Sequence, residues 1–410
     1  MSRRFRLAAD WAGQPENPGQ KHTLEQAPMS SQKLKPILTA GPSITKLEMD
    51  YVADACAHGW NQDWNLYLER FQRAFGEVTD TRFNMATSSC TGALHLALLS
   101  LGVGPGDEVL VPETTWVATA SAVKYCGATP VFVDVQPDTW CMDPDHLVAA
   151  ITPRSKVVIP VHLYGQPCDM GRILAIAKTH GLKVLEDAAP ALGATVLVDG
   201  VERPVGSLGD VACFSFQGAK IMTTGEGGML VTNNQEIFER ASFLNDHARD
   251  RASGFQILEV GYKYKMSNIQ AALGLAQLER LDELVGQKRT IMSWYQDRLS
   301  GVEGLSLNDA NAWSKPIFWM SSVVLDERIT PSREQVTRHL KELGIDSRPF
   351  FPPLSSFPMF RTSEGPAPVA ARIGKAGINL PSGHSLTEAD IDRVCVGLRS
   401  AIAVRPVVAA

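Results

Sequence analysis

From about residue 80 to residue 286, short apolar runs alternate with longer amphipathic stretches. Residues 109–112, 130–135, 156–161, 183–186 and 212–216 read as strands, and 229–232 begins another apolar run. Between them, 92–101, 115–125, 143–151 and 169–180 read as helices. Residues 267–284 read as one long helix, apolar at Ile269, Ala272, Leu273, Ala276 and Leu278. Strands that are apolar throughout and separated by helices predict an α/β fold, a mostly parallel sheet covered on both faces. The order changes after about residue 287. A helix at 292–299, a strand at 318–325 and helices at 333–343 and 388–403 predict a smaller α+β domain. Ahead of the sheet, 43–58 has helical spacing, whereas 1–36 is polar and broken by Gly and Pro. The expected organisation is an N-terminal extension (1–36), a large domain (37–286) and a small C-terminal domain (287–410).

At 410 residues the chain exceeds one small core, which agrees with two domains. A net charge of −5 gives no basic footprint for nucleic acid or an anionic membrane. No stretch approaches the roughly 18 apolar residues of a membrane span. The basic start, Met1 to Arg6, is followed by no apolar core, so it does not read as a secretory signal. Seven scattered cysteines without a Cys-x-x-Cys pair suggest reduced thiols in a cytoplasmic enzyme, with neither a disulfide framework nor a metal site.

The chemistry centres on Lys220. It lies between the apolar run ending at Phe216 and the turn Thr223-Thr224-Gly225-Glu226-Gly227-Gly228. A lysine held there loses water on several sides, which lowers its pKa and suits a Schiff-base nucleophile. Taken alone, a lysine in such a turn reads as a solvated loop residue. Other features change that balance. Asp187 follows a predicted strand, where a carboxylate faces the crevice at the strand ends. It could pair with a pyridinium nitrogen or cap the next helix. Thr87-Ser88-Ser89-Cys90-Thr91-Gly92 precedes a helix and could bind phosphate or simply cap it. Ser215, five residues before Lys220, could add a hydroxyl to the same phosphate. Trp116, just beyond a strand, could stack on a cofactor ring or pack in the core.

In chain order these features resemble the sugar aminotransferases (DegT/DnrJ/EryC1/StrS) among fold-type I pyridoxal phosphate enzymes. The matching stretches include Gly104-Pro105-Gly106-Asp107-Glu108, Pro160-Val161-His162-Leu163-Tyr164-Gly165, Glu186-Asp187-Ala188-Ala189 and Met266-Ser267-Asn268-Ile269. The likeness spans about residues 37 to 405 and is strongest to the GDP-perosamine synthase branch, which aminates carbon 4 of GDP-4-keto-6-deoxymannose. It implies a homodimer with shared active sites, pyridoxal 5'-phosphate as cofactor, L-glutamate as amino donor and a nucleotide-linked keto sugar as acceptor. It places Lys220 as the cofactor lysine, Asp187 on the ring nitrogen and Trp116 on the ring face. Cys90, Thr91 and Ser215 then fall at the phosphate, and Lys263 where the family has an Asn reaching the partner subunit's phosphate. His162 is a tentative sugar contact, with a hydrogen-bonded core histidine as the alternative. Pro190 stands where the family has Gln or Glu, and Ser355 where it often has His. Rival readings are an aminotransferase acting on a UDP- or dTDP-keto sugar, and a dehydratase. The family's dehydratase branch has histidine in place of the lysine.

Overall fold

The computed structural model describes residues 35–250, 252–363 and 365–403. Two helices, α1 (Lys46–His58) and α2 (Leu66–Thr79), precede β1 (Phe83–Thr87). Helices and strands then alternate through α3 (Cys90–Ser100), β2 (Glu108–Pro112), α4 (Ala118–Tyr125), β3 (Thr129–Val133) and α5 (Pro144–Ala150). The alternation continues with β4 (Ser155–Val158), α6 (Met170–His180) and β5 (Lys183–Asp187). A hairpin of β6 (Thr195–Val198) and β7 (Val201–Pro204) interrupts it before β8 (Val211–Ser215) and β9 (Gly228–Thr232). One seven-stranded sheet results, in the order β1-β9-β8-β5-β4-β2-β3. Six of its strands point the same way, and β9 is antiparallel to both its neighbours. The expected α/β fold with a mostly parallel sheet is therefore present.

After the sheet come α7 (Gln235–Asn245), α8 (Asn268–Glu279) and α9 (Leu281–Leu299). The C-terminal part comprises β10 (Leu305–Leu307), β11 (Ser314–Lys315), β12 (Ser322–Leu325), α10 (Arg333–Glu342), β13 (Arg348–Pro349), α11 (Pro368–Ala376), β14 (Gly377–Asn379) and α12 (Glu388–Ala403). Its sheet is antiparallel, in the order β10-β12-β14-β13, and β11 joins the β6–β7 hairpin. From Pro36 on, the chain forms one compact unit. The expected extension lies outside the described residues apart from Lys35 and Pro36.

Three expectations are corrected. The helix expected over 267–284 is broken at Arg280 (φ −102°, ψ 8°), and the residues expected as a separate helix at 292–299 are the end of α9. Arg280 sits at the break because its guanidinium reaches back to α1. It donates to the Glu48 carboxylate at 2.6 Å and the Ser43 carbonyl at 3.1 Å. The strand expected over 318–325 is ordered as β12 only from Ser322, because Phe318 has a left-handed backbone (φ 51°) that a strand cannot contain.

Beneath the end of β8, Phe71, Phe75, Phe214 and Phe216 pack with ring centroids 5.1–5.9 Å apart. Edge-to-face rings of this kind fix the exit of β8 into the next loop. Two buried carboxylates just past β2 and β3 bind the C-terminal part. Glu113 accepts from the Ser355 N–H at 3.0 Å and its hydroxyl at 2.5 Å. Asp134 accepts from the N–H groups of Val369 and Ala370, at the start of α11, at 3.0 and 2.9 Å. Among the described residues, no helix is long and apolar enough to cross a membrane.

Candidate active site

A cavity of about 750 Å³ opens at the carboxyl ends of the parallel strands. Cys90, Thr91, Trp116, Asp187, Ser215 and Lys220 all line it, although they come from five separate segments. Ligands of open α/β sheets bind at such strand ends.

Lys220 is held by a closed loop. After β8, the Phe216 N–H donates to the Gly227 carbonyl at 2.9 Å and the Gly218 N–H to the Gly225 carbonyl at 3.0 Å. The Thr223 hydroxyl donates to the Phe216 carbonyl at 3.1 Å. Gly225, at φ 81°, makes the turn that few other residues would tolerate. These bonds leave the Lys220 side chain half-buried, with Nζ 4.0 Å from the centre of the Trp319 ring. Burial pushes its pKa down, opposed by the nearby Asp187 carboxylate and Cys90 thiol.

Asp187 ends β5 and is 4% exposed. Its Oδ2 accepts from the Thr119 hydroxyl at 2.8 Å and its Oδ1 from the Ala189 N–H at 3.2 Å. Burial still holds its pKa above the usual carboxylate range, with those hydrogen bonds and Lys220 pulling the other way. A buried carboxylate so lightly compensated, at a cavity wall, suits a cationic N–H group.

Helix α3 begins with Cys90 and Thr91, whose main-chain N–H groups lie in the unsatisfied first turn. Ser89 caps the helix by accepting from the Gly92 N–H at 3.1 Å. Strand β9 approaches this turn so closely that a Cβ on Gly228 would lie 2.6 Å from the Cys90 nitrogen. Only glycine permits that approach. The helix start and Ser215 thus put donors of the kind that suit an anion on the same cavity wall as the Asp187 carboxylate. Trp116 is 60% exposed at the mouth and lies 5.6 Å from the Phe351 ring. The donor set fits a flat ring with a cationic nitrogen and a phosphate arm.

Two expected residues are elsewhere. His162 is fully buried in the core rather than on the cavity wall. Its Nδ1 accepts from the Cys168 N–H and its Nε2 donates to Glu186, each at 3.1 Å. Both ring nitrogens are engaged, so none remains for a sugar. Glu186 also accepts from the N–H groups of Gly206, Leu208 and Gly209. Burial would raise its pKa, but the bond from His162 and these main-chain donors hold it below the usual value. Lys263 is exposed and does not line the cavity of its own chain.

Sequence reasoning missed Thr119, Trp319, Arg348 and Phe351 as wall residues. Thr119 had a signal, standing one helical turn after Thr115 beyond β2. Trp319 and Arg348 are about 100 residues or more from Lys220 in sequence, and no local pattern links them. Pro190 does line the cavity, whereas Ser355 is bound to Glu113 outside it.

The comparisons agree with this geometry. The chain is 42% identical over 371 residues to the GDP-perosamine synthase of Caulobacter vibrioides, covering 88% of this chain and 97% of that one. It is 38% identical over 315 residues to the UDP-N-acetyl-3-dehydro-alpha-D-glucosamine 3-aminotransferase of Acidithiobacillus ferrooxidans, covering 76% and 82%. The structure of Spr1654 from Streptococcus pneumoniae in its PLP form superposes with a TM-score of 0.82 at 28% identity, covering 89% and 98%. The description DegT/DnrJ/EryC1/StrS aminotransferase family matches residues 42–399. A lysine and a carboxylate facing one crevice, in a chain matched over nearly its whole length, belong together: the chain is a member of this family of pyridoxal phosphate-dependent sugar aminotransferases.

Proposed function

We propose that this chain transfers an amino group from L-glutamate to a nucleotide-linked keto sugar, and that the sugar is GDP-4-keto-6-deoxymannose. The observation that supports the reaction best is the meeting of Lys220 and Asp187 in one cavity beside the start of α3. When bound, pyridoxal phosphate supplies a ring that accepts electrons from the carbon bearing the amino group. Lys220 carries the cofactor and moves the proton at that carbon. Asp187 holds the ring nitrogen protonated. Cys90, Thr91 and Ser215 bind the phosphate, and Trp116 covers the ring. The dehydratase reading is disfavoured because Lys220 occupies the position where that branch has histidine. The enzyme acts in the cytoplasm, which agrees with seven free thiols. Residues 37–286 form the cofactor-binding part and 287–410 its smaller companion.

The sugar is argued from the relatives, and a second reading comes from the cavity wall. Pro190 has no side-chain donor or acceptor, and Ser355 is used by Glu113. Each sugar hydroxyl left buried without a partner costs about 1–3 kcal/mol. A UDP- or dTDP-4-keto sugar with different hydroxyls could therefore fit better. The expected result is a kcat/KM with glutamate highest for the GDP sugar. A tenfold preference for either competitor rejects the GDP assignment and leaves the aminotransferase standing.

The homodimer is part of the same proposal, with Lys263 reaching the phosphate bound by the partner. One charged hydrogen bond is worth about 1.5–3 kcal/mol. Lys263→Ala should therefore weaken cofactor binding at least tenfold in equilibrium dialysis, while sedimentation still shows a dimer. Unchanged affinity in a dimer removes Lys263 from the site.

A further inference from the structure

Lys288, on α9, is a buried amine outside the cavity wall. It is 2% exposed, and among the described residues its ammonium meets two main-chain carbonyls and no carboxylate. Burying a charge without a counter-charge is costly, and burial pushes this lysine's pKa down to about 7. Its partners show what the ammonium holds. One is the Trp319 carbonyl at 3.1 Å, the other the Ser382 carbonyl. Trp319 in turn donates its indole N–H to the Ala219 carbonyl at 2.6 Å and lays its ring beneath Lys220 Nζ at 4.0 Å. Ser382 donates its N–H to the Thr39 carbonyl at 2.8 Å, next to the wall residues Ala40 and Gly41.

We propose that Lys288 is a positioning residue for Lys220, acting through Trp319, which it holds by the carbonyl so that the indole face supports the Lys220 ammonium. This rests on the reading of Lys220 as the cofactor lysine, and the two can fail separately. Anchoring and bare charge would act on Lys220 with opposite signs. Loss of a positive charge raises a neighbouring ammonium's pKa, but burial pulls Lys288 down to about 7, so little of that charge remains where Lys220 titrates. As the anchor of Trp319, Lys288 keeps an aromatic face under an ammonium, so its removal should lower the pKa.

The test uses the full-length chain. Borohydride reduction of the holoenzyme and peptide mapping first establish whether Lys220 carries the cofactor. Competitive acetylation of the cofactor-free chain across pH, read by mass spectrometry of the Lys220 peptide, then gives the Lys220 pKa without any turnover. Lys288→Met and Trp319→Leu should each lower that pKa by about one pH unit, the size of a desolvated cation–π contact. The double variant should shift no further than either single one. Lys288→Gln keeps a neutral donor for a carbonyl, so it should leave the pKa near that of the parent and kcat within about threefold. Lys288→Met should lose tenfold or more in kcat with little change in KM. A rise in the Lys220 pKa in either Lys288 variant, or additive shifts in the double variant, overturns the proposal. Should Lys288→Met not fold, the Gln variant alone decides, since a neutral donor separates charge from anchoring. A label on another lysine would refute the cofactor reading, yet the acetylation series would still report the Lys288–Trp319 coupling.

Discussion

Lys220→Ala should fold, bind pyridoxal phosphate reversibly and lose turnover by several powers of ten. One side chain serves as nucleophile and as proton carrier, so its truncation removes both at once. Folding should survive because the loop is closed by main-chain bonds that do not involve the lysine side chain. Burial lowers the Lys220 pKa, so the folded state holds the ammonium less well than water does. Below the ordinary lysine pKa that term opposes folding, and alanine removes it. The cofactor-free variant should therefore melt no lower than the cofactor-free parent. Borohydride should fix cofactor on Lys220 in the parent and on no lysine in the variant. Turnover within tenfold of the parent would exclude Lys220 from the chemistry.

Asp187→Asn should keep the fold and slow the reaction with glutamate about a hundredfold or more. The neighbours can accommodate an amide. The Ala189 N–H can donate only, so it selects the amide oxygen, and the Thr119 hydroxyl can rotate to accept from the amide nitrogen. What the amide cannot do is hold a positive charge on a ring nitrogen. Without it the ring accepts electrons less readily and proton removal becomes more costly. Rapid-mixing absorbance with glutamate alone isolates this step from sugar binding. A near-parental rate would show that another group pairs with the nitrogen.

Much of this site was legible in the sequence because its chief groups stand at ends of periodic elements. Asp187 closes a strand, Cys90 and Thr91 open a helix, and Lys220 sits in a glycine turn, so local pattern marked each position while the family resemblance supplied its role. The opposite wall was not legible. Arg348 reaches the cavity on β13 of a small antiparallel sheet and Trp319 from the bend before β12, and no local periodicity encodes either placement. Phe318 shows the same limit, since it opens an apolar run that reads as a strand but has a left-handed backbone. The break at Arg280 depends on Glu48, more than 200 residues away. His162 had two readings in the sequence, and only the engagement of both its nitrogens decided for the core.

The clasps at Glu113 and Asp134 bear on how the enzyme meets its substrates. They bind the segments around Ser355 and α11 to the ends of β2 and β3, and Phe351 on the cavity wall lies four residues from Ser355. Buried charged groups with their hydrogen bonds satisfied are costly to separate. The clasps thus tie the wall that carries Phe351 to the large sheet before any sugar arrives. Such preorganisation spares the ordering cost of binding and makes discrimination depend on fit to a fixed wall, with little reward for a poorly matched guest.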